Sequence, residues 1–212
     1  MDRYKASSLR AYDGELAESY DRSFVVRLLD LTVMDDFVVL ALGDSLAGSR
    51  ILDVGCGTGR LLERLADSGT WQLAGSDLAQ RMLDVADGKL RGLGIDVELR
   101  AADAESALPW PADSFDVVTN TGVLHHLYGL SAALAEMRRV LRPGGRLVVA
   151  DPCFFTPVRE LFNLLLRHHP RDGDFYFYTP AQMGRLLAED GWRVMVCRRL
   201  NWWAFGAVAR SP

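Results

Sequence analysis

Between residues 50 and 151 the chain alternates short apolar runs with stretches whose apolar residues recur every three or four positions. This alternation leaves few folds open, because an apolar run buries as a strand and an amphipathic stretch covers it as a helix. The spacing predicts strand one over 50–54 and a helix around 59–68, with Leu61, Leu62, Leu65 and Ala66 on one face. Strand two is expected over 71–76, before a helix carrying Met82, Val85, Ala86 and Lys89. Strand three follows at 96–101, and strand four at 115–119 after the turn "LPWPADS". A helix near 130–141 places Leu130, Leu134, Met137 and Leu141 on one stripe; "RPGG" (142–145) reads as a turn and 146–151 as strand five. The result is a parallel sheet covered on both faces, a design that binds ligands at the carboxyl ends of its strands.

The flanks read differently. Residues 7–47 look helical, with Phe24, Leu28 and Leu31 and then Phe37, Leu40 and Ala41 at helical spacing, closed by Asp44, Gly48 and Ser49. Beyond 151, residues 157–168 suit a helix. Thr179 offers an N-cap with Pro180 at the first helical position and Gln182 completing a capping box, in a helix ending near Gly191. Strands at about 192–199 and 204–209 are expected as an antiparallel extension. With 212 residues, 25% of them charged and 49% hydrophobic, the chain has enough material for one well-buried core. The net charge of −4 argues against a surface built mainly to hold nucleic acid. The charged first residues, "MDRYKASSLR", do not read as a secretory signal, and the longest apolar run, "FVVLAL" (37–42), is too short to span a bilayer. Cys56, Cys153 and Cys197 are scattered, so a reduced, cytoplasmic setting is expected.

Strand one runs into "ILDVGCGTGR" (51–60), where Gly55, Gly57 and Gly59 let the backbone turn sharply and approach a ligand. A dinucleotide fingerprint needs a glycine where Arg60 stands, so the turn fits that motif poorly. Asp77, closing strand two, can accept hydrogen bonds from both hydroxyls of a ribose, which suits NAD as well as other nucleosides. Asp103 and Ala104, closing strand three, can meet the amino group and ring nitrogen of an adenine. Singly, each has a plainer reading: Asp53 as an acid capping its own turn, Asp77 as a helix N-cap.

Taken in order, "LDVGCGTG", "GSDLAQRML", "AADAESALPWPADSFDVVTNTGVLHHL" and "LRPGGRLVVAD" resemble the successive motifs of class I S-adenosylmethionine-dependent methyltransferases, in particular the ubiquinone/menaquinone-biosynthesis-type small-molecule group. The resemblance covers about residues 50–151. It implies an α/β, Rossmann-like, doubly wound and mostly parallel seven-stranded sheet, with an antiparallel C-terminal strand and an N-terminal helical extension. It also implies one domain over 1–212: a helical cap (1–49), a coenzyme-binding core (50–151), and substrate-side helices and C-terminal strands (152–212). The coenzyme is then S-adenosyl-L-methionine, with S-adenosyl-L-homocysteine as product. By the same resemblance Asp53, Gly55, Cys56, Gly57 and Gly59 lie near its methionine part. Asp77 holds the ribose, Leu78 packs on adenine with Met82 in the same set, Asp103 and Ala104 read the adenine edge, and Asn120 stands beside the amino and carboxylate groups.

Methyl transfer from a sulfonium is an in-line displacement whose leaving group is already good, so most of the catalysis comes from positioning. A base is needed only when the acceptor arrives protonated. His126 and His125, after strand four, are the candidates for that role, with loop-holding as the plainer reading. Asp151 either orients substrate or begins the turn at Pro152. His168 and His169 end a helix, where a cation suits the dipole. Phe154, Phe155, Tyr176 and Tyr178 are expected on an apolar substrate wall with His125 and Asp151, and Tyr20 near the coenzyme, where the N-terminal segment would act as a lid. Trp192 is read as packing. The Asn/Asp-Pro-Pro-aromatic motif of nucleic-acid amino-methyltransferases is absent from "NTGV" (120–123), which favours a small-molecule acceptor with an oxygen, nitrogen or carbon nucleophile. No metal is expected, because the histidines and cysteines lack ligand spacing. A monomer and a homodimer both remain open. The rival readings are an NAD-dependent oxidoreductase, a catalytically silent binding protein, and a transferase of another group such as aminopropyl.

Overall fold

The computed structural model describes residues 3–14, 16–23, 33–43, 45–168 and 174–212. Phe24, Leu28, Leu31, Asp44 and His169 lie outside the described residues. The N-terminal part contributes α1 (Arg3–Tyr12), a single turn α2 (Leu16–Ser19), a 3-10 turn at Tyr20–Arg22 and α3 (Asp35–Leu42). The alternating core then follows as β1 (Arg50–Val54), α4 (Arg60–Ser68), β2 (Gln72–Asp77), α5 (Gln80–Gly92), β3 (Val97–Ala101), β4 (Phe115–Thr121), α6 (Leu130–Val140) and β5 (Leu141–Pro152). The last part holds α7 (Thr156–His168), α8 (Pro180–Glu189), β6 (Arg193–Arg199) and β7 (Ala204–Arg210).

The strands form one seven-stranded sheet in the order β3-β2-β1-β4-β5-β7-β6. The first five pair in parallel, and β7 runs antiparallel to both β5 and β6. Alternation along each strand divides the core in two. Leu52 and Val54 of β1 pack toward α6 and α8, where Leu134, Met137, Met183 and Leu187 are buried. Ile51 faces the other side, against Leu62 and Leu65 of α4, Ala86 and Leu90 of α5, and Phe37 and Ala41 of α3. Each such buried leucine contributes roughly 1.5–3 kcal/mol. Trp192 is buried in the first of these cores.

One local reading needs correction. The "RPGG" turn does not precede strand five but sits within it. Leu141 pairs with Phe115 and Arg146 with Val117, so the intervening residues bulge out of the ladder. Gly144, with φ of 72°, makes this bulge possible. The capping box of α8 forms as its residues require. The Thr179 hydroxyl accepts from the Gln182 N–H at 3.0 Å, and the Gln182 side chain accepts from the Thr179 N–H at 2.8 Å. The strand order reverses between β1 and β4, which opens a crevice at the carboxyl ends of these two strands.

Candidate active site

That crevice is a cleft of about 870 Å³, its open mouth included. Its floor is the turn after β1. Gly55, Gly57 and Gly59 all adopt positive φ (74°, 52° and 76°). At Gly55 a side chain would also collide with Val123, at 2.5 Å from its Cγ2. At Gly59 it would press into Leu90 and Ala86 of α5, which explains why that turn closes so tightly on the helix. Gly57 faces open space, and its N–H donates to Asp77 Oδ2 at 2.8 Å.

Asp77, at the end of β2, also accepts from the Ala79 N–H at 2.9 Å. Burial pushes its carboxyl up from the ordinary value, against the pull of the backbone donors of Ala79, Gly57 and Leu78. Leu78, Met82, Asp103 and Ala104 share the cleft wall with it. Asp103 is engaged by Lys5, whose Nζ lies 2.8 Å from its Oδ2 and 3.0 Å from Glu105 Oε2. Partial burial would raise the Asp103 carboxyl, but the Lys5 contact and the Glu105 N–H outweigh it and hold it below the usual range.

Asp53, Cys56, Gly59 and Asn120 stand behind the wall rather than on it. Asp53 is 3% exposed and accepts from Thr119 Oγ1 at 2.9 Å. Burial raises its pKa to about 7, with the Thr119 hydroxyl opposing and the Asp77 charge adding. Asn120 donates through Nδ2 to the Val54 carbonyl at 2.7 Å, while its buried Oδ1 takes no hydrogen bond among the described residues. Burial also drives the Cys56 thiol well above its ordinary value, so it stays protonated and unreactive.

The N-terminal helices close the cleft from the other side. Leu9, Tyr12 and Tyr20 pack with Ala17 against Ala79 and Met82. Asp21 accepts from Thr58 Oγ1 at 2.6 Å and from Lys89 Nζ at 3.2 Å, tying the segment to the glycine turn and to α5. Asp13 accepts the Arg81 N–H at 2.8 Å, capping α5 from outside. Lys5, Tyr12, Glu105 and Thr121 line the cleft without having been singled out in the sequence. Glu105 lies two residues after Asp103 and was open to notice. Lys5 and Tyr12 carry no local signal, because only the packing of α1 brings them there.

The histidine turn lies at Leu124–His126. His126 is on the cleft wall, with Tyr12 Oη 3.5 Å from its Nε2. His125 is not on the wall. It is buried, stacked on Phe177 at 5.0 Å, with Nδ1 2.9 Å from Asp151 Oδ1. Burial lowers its pKa to about 4, partly offset by Asp174, and raises that of Asp151, so each partner is driven toward its neutral form.

Of the residues expected around the acceptor and coenzyme, Tyr20 lines this cleft; His125, Asp151, Phe154, Phe155, Tyr176 and Tyr178 do not. The N–H groups of Phe175 and Tyr176 both donate to the His125 carbonyl, at 2.6 and 3.2 Å, so the segment joins the site by its backbone. Its rings pack elsewhere. Phe154 meets Phe162 and Phe177 at 5.3 and 5.1 Å, Phe155 is 56% exposed, and Tyr176 and Tyr178 border a separate depression beside α8. His125, His126 and Asp174 bring three ligand atoms within 4.8 Å of one another, a grouping hidden in the sequence because Asp174 lies far downstream.

Against known proteins, the family described as "Methyltransferase domain" matches residues 52–149. The ubiquinone/menaquinone biosynthesis C-methyltransferase UbiE of Vibrio parahaemolyticus is 40% identical over 150 residues, covering 68% of this chain and 53% of that protein. The UbiE of Psychromonas ingrahamii is 37% identical over 148 residues, covering 68% of this chain and 55% of its own length. This chain therefore spans about half the length of these relatives. Among solved structures, magnesium protoporphyrin IX methyltransferase from Synechocystis PCC 6803, with bound SAH, superposes with a TM-score of 0.74 at 19% identity, over 98% of this chain and 100% of that one. At that identity the likeness concerns the fold.

Proposed function

Since the chain belongs to the class I S-adenosylmethionine-dependent methyltransferases of the UbiE type, we propose that it transfers a methyl group from S-adenosylmethionine to a small-molecule acceptor. The observation that carries this reading is the pair Asp77 and Asp103, at the ends of adjacent strands on one wall of a cleft floored by Gly55 and Gly57. The residues fit the coenzyme in three respects. Two carboxylates suit a ribose and an adenine amino group, Leu78 and Met82 offer an apolar face for the adenine, and the glycine turn leaves room for backbone approach. Thr121 also lines the cleft, and its buried hydroxyl has no hydrogen-bond partner among the described residues.

In this reading Asp77 holds the ribose hydroxyls, and Asp103 with Ala104 meets the adenine edge. The Gly55–Gly59 turn, with Cys56 in it, cradles the methionine end, supported from behind by Asp53 and Asn120. The coenzyme supplies a methyl group on a positively charged sulfur that departs as a neutral thioether. The chain's own work is to align the acceptor and exclude water, and Tyr12, Tyr20 and His126 line the region where it does so. His126 is the imidazole placed to handle a proton of a hydroxyl, ammonium or enol acceptor, while His125 and Asp151 position it from behind. Residues 1–212 act as one domain, with 1–49 as cap, 50–151 holding coenzyme and 152–212 flanking the acceptor. The proposed setting is the cytoplasm; no described helix is long and apolar enough to cross a membrane.

Titration calorimetry with S-adenosylmethionine, S-adenosylhomocysteine and NAD tests the reading. Binding of both sulfur compounds and not of NAD supports it, and an acceptor screen by product release then follows. Binding of NAD alone would replace it with the oxidoreductase reading, and coenzyme binding without turnover on any acceptor would leave a silent binding protein.

A further inference from the structure

We propose that His125, His126 and Asp174 form a binding site for one divalent transition-metal ion of the zinc class. Asp174 Oδ1 lies 3.2 Å from His126 Nδ1 and 3.6 Å from His125 Nε2. Zinc holds nitrogen and oxygen ligands at about 2.0–2.2 Å, so neighbouring donors in a tetrahedral shell stand roughly 3.3 Å apart. Both separations to Asp174 are already close to that size, and all three donor atoms lie within 4.8 Å of one another.

Two further features point to a ligand rather than to a chance ion pair. The first lies behind His125. Its Nδ1 meets the buried Asp151 side chain at 2.9 Å, which fixes the ring with Nε2 facing Asp174. A carboxylate on the far nitrogen of a histidine is the outer partner that metal-binding imidazoles use to fix their tautomer and orientation. The second is backbone preorganisation. His125 and His126 share one tight turn, and two N–H groups just after Asp174 are bonded to the His125 carbonyl. The donors are thus held on one scaffold by bonds that do not involve the ion.

The donor set decides the class of ion. Two imidazoles and one carboxylate suit zinc, cobalt, nickel or ferrous iron, whereas magnesium and calcium require mostly oxygen ligands. Three protein ligands leave a coordination position open, the arrangement of catalytic rather than structural sites. Because His126 also lines the cleft, the ion sits one side chain from the acceptor region. Resting on the methyl-transfer reading, the open position would take an oxygen of the acceptor and favour its deprotonated form, the proton leaving to solvent.

The test uses metal-free full-length chain titrated with Co2+, read by its visible d–d absorption, and with Zn2+ in competition. One equivalent of Co2+ displaced by Zn2+ and not by Mg2+ is expected. Asp174→Asn, at a partly exposed position, should weaken binding at least tenfold while urea unfolding checks that the variant is folded. His168→Gln/His169→Gln should leave it unchanged. Absence of stoichiometric binding, an Asp174→Asn variant that binds like the wild type, or loss of binding in the His168/His169 variant would overturn the site. S-adenosylmethionine calorimetry on the same metal-free sample keeps failure of the ion site separate from failure of the coenzyme reading.

Discussion

Replacing Asp53 by asparagine should stabilise the coenzyme-free chain at alkaline pH and flatten its pH dependence. Asp53 ends β1 at 3% exposure, with Thr119 Oγ1 on its Oδ1 at 2.9 Å and the charge of Asp77 close by. Burial is the main cause that lifts its pKa from 3.8 to about 7. The folded chain therefore binds this proton more tightly than the unfolded chain does. The associated stability is fully present below the unfolded value, declines as pH rises from there to the folded value, and is gone above it. A shift of about three units corresponds to roughly 4 kcal/mol over that window, at about 1.4 kcal/mol per unit. Asparagine keeps an oxygen for the Thr119 hydroxyl and does not ionise. Its amide N–H groups lack an assured partner, which costs about 1–3 kcal/mol at every pH. The stability of Asp53→Asn relative to the wild type should thus rise by roughly 4 kcal/mol from about pH 4 to about pH 8. Urea unfolding of both proteins across that range measures it, and taking the difference removes the contributions of other groups. Parallel profiles would refute the reasoning, because they would mean that Asp53 titrates alike in the folded and unfolded chain. The same substitution should weaken coenzyme binding if the acid supports the methionine end.

Asp77→Asn loses the charge that strengthens its hydrogen bonds, and S-adenosylmethionine affinity measured by calorimetry should fall about 10–100-fold; an unchanged Kd would show that the ribose binds elsewhere. Asp21→Asn keeps an oxygen for the Thr58 hydroxyl but loses the charge facing Lys89, about 1 kcal/mol, so coenzyme release in stopped flow should quicken roughly fivefold. Equal release rates would mean that Asp21 does not hold the cap. Thr179→Ala removes the α8 capping box and should cost about 1 kcal/mol in urea unfolding while leaving coenzyme affinity intact.

Most of the residues singled out in the sequence that line the cleft are those close to strand ends. Gly55, Gly57, Asp77, Leu78, Asp103 and Ala104 each lie within a few residues of a β-strand's carboxyl end, and strand order alone brings such ends together. For the aromatic residues, composition says which rings will be buried but not against what. Phe154 packs on Phe177 and on Phe162 of α7, and it does not line the cleft.

Element type and order were determined by the sequence itself, since periodicity, caps and glycine turns act over a few residues and need no distant partner. The strands, the α8 capping box and the turn after β1 are of this kind. Tertiary structure alone decided which distant side chains meet: Lys5 on Asp103, Asp21 on Thr58, and Asp174 on the histidine turn. It also decided that β7 enters between β5 and β6 and that "RPGG" bulges inside a strand. Such contacts depend on where helices and crossovers set separate segments against one another, and no periodicity within a single segment encodes that choice.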